Sequence, residues 1–312
     1  EPLIEWPEPV LHYIEFVGLF LATGAVGFRY SALRRRTPSA AAPELGSHDE
    51  RIYGAAARRA AAFGLIGAVI TTILLAIDLP GLAERRHVTV TTLVTTNLLP
   101  AAQILLAIVA IAGFALALRG VHAGWPIAAV GVIVGQLRGA LAGRWLQLVN
   151  PMHVLAAGLW IGTLFILVTA GIHTVMRDEA SRERRGPIVA HMVNAFSPLA
   201  LTASGVLVIF GVITAWRHLK SLQALWTTPY GFALIVKLAL VAVVVALGAW
   251  NWRRQRPRLG SEESAVAVRR SATAELAAAA FVLAATAVLV SLPSPRPPRP
   301  VTTLTAPGTG AR

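Results

Sequence analysis

The chain has 312 residues, 55% of them hydrophobic, and only 14% are charged, against roughly 25% in soluble domains. Its mean hydropathy is +0.64, and no stretch between apolar runs exceeds about 30 residues, which excludes a separate soluble catalytic domain. The net charge of +13 is carried almost wholly by arginines at the ends of apolar runs, a placement that points to membrane topology and away from nucleic acid as a partner. With no cysteine, the chain has no disulfide, thiolate metal site or thiol redox centre.

Eight apolar runs are each near the ~20 residues that a bilayer core ~30 Å thick requires. The first, about 8–28, carries His12 and Glu15 three residues apart, hence on one helix face. Glu15 lies about 10 Å into the run at ~1.5 Å per residue. The second, about 60–79, closes on Asp78. Residues 80–95 are amphipathic and threonine-rich and read as an interfacial loop or short helix. The third, about 96–118, opens with Asn97 and Gln103. The fourth, about 125–146, holds Gly131, Gly135, Gly139 and Gly143 at four-residue spacing. That ladder predicts close helix packing, although Arg138 and Arg144 interrupt the second half of the run.

The fifth run, about 151–173, starts with Met152 and His153 and repeats the small-residue spacing at Gly158 and Gly162. The sixth is about 193–216. The seventh, about 230–251, holds Lys237, about 12 Å in on the same count. The eighth, about 271–292, holds Glu275 near its start. Residues 293–312 form a proline-rich tail that reads as an extended arm. The expected fold is an all-α polytopic transmembrane helical bundle of about eight spans. Its expected parts are an N-terminal four-span half (1–150), a second four-span half (151–292) and the tail.

Segments 29–59, 119–124, 174–192 and 252–270 together hold 18 Lys and Arg. The N-terminus, the remaining connections and the tail hold nine, with Arg138 and Arg144 counted at the outer end of the fourth run. The richer set is cytoplasmic by the positive-inside rule, so both termini are expected outside the cytoplasm, as an even span number requires. The chain opens with Glu1, as expected where preceding residues have been removed.

An ionisable group inside the bilayer is costly and calls for a reason. On this topology His12, Glu15, Asp78, Gln103, Arg138, His153 and Lys237 share the extracytoplasmic half, with Glu275 the exception. Two explanations stand side by side: a polar cavity opening outward, or interhelical ion pairs such as Glu15 or Asp78 with Arg138 or Lys237. His12, His153 and Met152 could converge on one outer metal site, since imidazole is a general ligand and thioether suits Cu(I). Haem is not expected, because only His12 and His153 could face each other across spans as a ligand pair.

From residue 151 onward the order of features resembles the copper-resistance D (CopD) family. The matching stretches are His153–Gly162 with Trp160, Phe196-Ser197-Pro198-Leu199-Ala200, Gly211 and Trp216, Pro229-Tyr230-Gly231 leading to Lys237, Asn251, and Arg270-Ser271 leading to Glu275. The resemblance implies copper handling at a bacterial inner membrane, with His153 as the carried-over ligand candidate. Lys237 and Glu275 match charged family positions inside the spans. Family members often have a Gly-His pair in the fourth span, where this chain reads Gly135-Gln136-Leu137-Arg138-Gly139.

The expected function is therefore copper binding or import through an outward-facing His/Met site. The alternative is a non-catalytic accessory or assembly subunit of a larger respiratory or photosynthetic membrane complex on the same fold. The tail and residues 37–50 are poor in core-forming residues and suit docking to protein partners, so a multi-subunit assembly is expected. An enzyme is not expected, because the sequence carries no nucleophile–base pairing, phosphate loop or zinc-protease motif.

Overall fold

The computed structural model describes residues 7–33, 47–219, 221–255 and 262–292. All regular structure among them is helical. The principal helices are α1 (Glu8–Tyr30), α2 (Ser47–Arg85), α3 (Val90–Thr96), α4 (Leu98–Leu118) and α5 (Gly124–Gln136). They continue with α6, a helical run over Trp145–Arg177, then α7 (Arg185–Leu219), α8 (Ala224–Thr227), α9 (Pro229–Gln255) and α10 (Glu262–Ser291). Seven of them are long and apolar enough to cross a membrane, and α5 is a shorter apolar helix. The chain is thus an all-α polytopic membrane bundle.

Most spans run longer than the apolar count predicts. α2 continues through Pro80 to Arg85, and α7 begins at Arg185. Hydropathy marks only the part of a helix that sits in hydrocarbon, whereas the backbone ladder runs on into the interface for as long as side chains permit it. Segment 80–95 divides accordingly: its first residues extend α2, His87 turns the chain with φ of 54°, and the rest opens α3. The Thr89 hydroxyl caps α3 by accepting from Thr92 N at 3.1 Å.

The fourth predicted span requires correction. Its helix ends at Gln136, followed by 3₁₀ turns at Arg138–Ala142 and Trp145–Leu148. The glycine ladder is therefore only half helical. Gly131 faces α4, where an added Cβ would collide with the Ala110 backbone, whereas Gly143 sits at φ 67° with nothing within 4 Å. Arg138 sits at the break: its guanidinium donates to Gly135 O at 3.0 Å, one of the carbonyls that a helix end leaves without an intrahelical partner.

α1 is the hub. It packs on α2, on α6 and on α10. Where α1 meets α6, Gly24 and Gly162 touch backbone to backbone, so neither position has room for a side chain. Gly162 closes a π-helical turn, Gly158–Gly162, and a second follows at Leu167–Ile172. Such turns widen the helix by one residue and here let α6 lie against α1. One apolar core joins both halves of the chain, from Phe28 and Phe114 to Ile166, Met192 and Val268. At the arginine-rich end, buried Asp49 pairs with Arg184 across the α2 and α7 ends at 2.5 Å, and Arg29 lies 6.0 Å over the Trp125 ring. The expected extracytoplasmic termini, the tail at 293–312 and most of 37–50 lie outside the described residues.

Candidate functional site

A cavity of about 980 Å³ lies between the helices. α7 and α9 form two of its walls and are the least enclosed spans. His12, Glu15, Asp78, Gln103, Arg138, His153 and Lys237 all line it. These seven come from α1, α2, α4, the turn after α5, α6 and α9, separated by up to 225 positions in sequence (237 minus 12). Met152 and Glu275 do not line the cavity. Glu275 faces α9 beside Gly248 instead, with a carboxylate oxygen 3.8 Å from where a Cβ there would stand.

Of the two candidate ligand histidines, His153 is the more firmly placed. Its Nδ1 lies 3.0 Å from the carbonyl oxygen of Leu207 on α7. A carbonyl can only accept, so Nδ1–H donates, and in the neutral ring Nε2 keeps its lone pair. Gly211 makes room for the ring: a Cβ there would stand 2.9 Å from His153 Cε1 and 3.2 Å from Nδ1. A hydrogen bond from the far ring nitrogen to a backbone carbonyl is how metal-ligating histidines are commonly oriented. Here α7 supplies both the acceptor and the space.

His12 is held less tightly. Its Nδ1 is 3.5 Å from Glu15 Oε2 one helical turn on, and both side chains are partly open. Glu15 is also the acidic group whose charge acts on Arg138. The two are not a direct ion pair, because the guanidinium hydrogen bond goes to Gly135 O. Lys237 is close enough for its charge to act on His153. Among the described residues Lys237 has no hydrogen-bond or ion-pair partner, and no three His, Asp or Glu side chains stand ready to surround one metal ion.

Several lining residues escaped the sequence reading. Gln136 donates through Nε2 to buried Thr23 at 2.8 Å, while its Oε1 is buried with no hydrogen-bond partner in the described structure. A polar amide inside the apolar run was the signal that could have found it. Thr214 Oγ1 is buried and unpartnered too. His218 and Tyr230 stack at 6.2 Å with ring planes 17° apart and also line the cavity. No sequence signal marks that pair, which depends on the turn between α7 and α9. A second cavity of about 210 Å³ lies at the other end of α1, lined by Arg29, Arg58, His122 and His191 among others.

Comparison with known proteins gives two matches. Residues 190–289 match the family described as Copper resistance protein D, starting later than the resemblance read from residue 151. The match takes in Leu207, Gly211, Lys237 and Glu275, but not His153. Over 153 residues the chain is 33% identical to Copper transport protein CutJ of Bacillus subtilis (strain 168). That stretch is 49% of this chain and 26% of the relative, so the alignment spans about a quarter of the relative's length. No solved structure matches.

Proposed function

We propose that this chain, a multi-pass membrane protein of the CopD family, binds copper in its large cavity and passes it inward across a bacterial inner membrane. His153 is the ligand, and His12 with Glu15 lines the same cavity. The observation that carries this reading is the setting of His153: Nδ1 anchored on Leu207 O, the ring cleared by Gly211, and Nε2 left with a lone pair on a cavity wall. The family match supports copper as the metal. Neutral imidazole binds copper well, and the chain offers no thiolate to compete.

In this reading the protein is not an enzyme. Its work is to hold copper on fixed donors and release the metal again, which separate ligands on an open cavity favour over a tight cage. Met152 is not among the residues that line the cavity.

Metal analysis of the purified full-length chain tests the proposal. Copper should bind, His153→Ala should lose it, and His12→Ala should weaken it less. Copper retained equally by wild type and His153→Ala would overturn the reading.

A further inference from the structure

We propose that the copper enters this cavity as an anionic chelate rather than a bare ion, with Lys237 pairing a carboxylate of the chelator while His153 takes an open position on the metal. This rests on the copper reading above and names the form of its substrate.

The first observation is Lys237 itself. It projects from an apolar span into the cavity with no hydrogen-bond or ion-pair partner among the described residues. An ammonium at this depth is costly unless an anion answers it. Glu15 acts on Arg138, and neither Glu15 nor Asp78, the carboxylates that line the cavity, is ion-paired with Lys237. The anion that answers Lys237 is therefore brought in by the ligand.

The second observation is the pairing of Lys237 with His153. Both line the same cavity, so a bare copper cation at Nε2 would share it with an unanswered ammonium. A chelate carrying net negative charge reverses that sign. Its carboxylate meets the ammonium, and its metal keeps one position for imidazole. Arg138 adds a second cation to the same cavity.

The third observation is size. At about 980 Å³ the cavity sits at the upper end of the ~300–1,000 Å³ range of pockets for organic ligands. A water-sized ligand occupies only ~30 Å³. Trp160, Val212 and Leu238 supply apolar wall for an organic skeleton.

The test uses the full-length chain, without a histidine tag, in phosphatidylcholine nanodiscs that supply no anionic lipid. Two copper(II) complexes are titrated, each leaving one position open: the nitrilotriacetate complex, which is an anion, and the diethylenetriamine complex, which is a dication. Wild type should bind the anionic complex at least tenfold more tightly, with the absorbance shift of imidazole ligation. His153→Ala should abolish that shift. Lys237→Met should erase the tenfold preference, and Lys237→Arg should keep it. If copper binds through His153 but the dication is preferred, or if Lys237→Met keeps the preference, the chelate proposal fails and copper binding stands. If neither complex shows His153-dependent binding, both fall.

Discussion

Replacing Gly211 with alanine adds one methyl group at the point where α7 faces His153. That Cβ would stand 2.9 Å from Cε1 and 3.2 Å from Nδ1, where ordinary contact begins at 3.4 Å. The ring must therefore retreat by about 0.5 Å (3.4 minus 2.9) or more. Its bond to Leu207 O is already 3.0 Å, and such a retreat takes it beyond the ~3.2 Å limit of a good N–H···O bond. Loss of an orienting partner typically costs a metal site about 10–100-fold in affinity, or about 1.4–2.7 kcal/mol. The fold should not suffer, because alanine is the better helix former by about 1 kcal/mol and the clash is with a side chain that can move. Copper affinity, measured by competition with a chelator of known strength, should thus fall at least tenfold while the midpoint of thermal unfolding in detergent holds or rises. Gly205→Ala is the control, since nothing lies within 4 Å of that position. A Gly211→Ala protein with wild-type copper affinity would refute the link between α7 and the ligand.

Three further outcomes are expected. Gly24→Val inserts a side chain between the touching backbones of α1 and α6. It should destabilise by more than the ~1–3 kcal/mol of ordinary overpacking, visible as loss of monodisperse protein on size-exclusion chromatography; a normal elution profile would contradict the hub role of α1. Arg184→Ala leaves the buried Asp49 carboxylate without its partner. Because Arg184 is half exposed, the cost should be about 2 kcal/mol in chemical unfolding, below the ~3–5 kcal/mol of fully buried pairs, and no change would count against the pair. Reporter fusions at residues 45 and 300 should report opposite sides of the membrane from the 18-to-9 charge asymmetry, and same-side signals would sink that topology.

The fold class was legible because hydrocarbon imposes one strong rule: an apolar run of about 20 residues must be helical to satisfy its backbone. Hydropathy could not show where α5 stops. At that end Arg138 turns back to Gly135 O, a local hydrogen bond with no signature in an apolar count. Shared depth left a common cavity and interhelical ion pairs equally open for Glu15, Asp78, Arg138 and Lys237; in the structure the four line one cavity. Which of them pair could not be read, because pairing depends on helix rotation. Arg138 spends its hydrogen bond on its own turn, and Lys237 stands apart from both carboxylates. Gln136 was visible as a polar break in an apolar run but was passed over for the charged residue two positions on. The role of Gly211 was hidden altogether, because a glycine that clears space for a ring 58 positions away (211 minus 153) looks the same in sequence as one that packs helices.

X-ray absorption at the copper K-edge tests the central claim most directly. The copper-loaded, full-length chain should show imidazole back-scattering in its outer shells, and the His153→Ala protein should lose it while His12→Ala retains it. A spectrum without imidazole, or one unchanged by His153→Ala, would contradict the assignment of this cavity as the copper site.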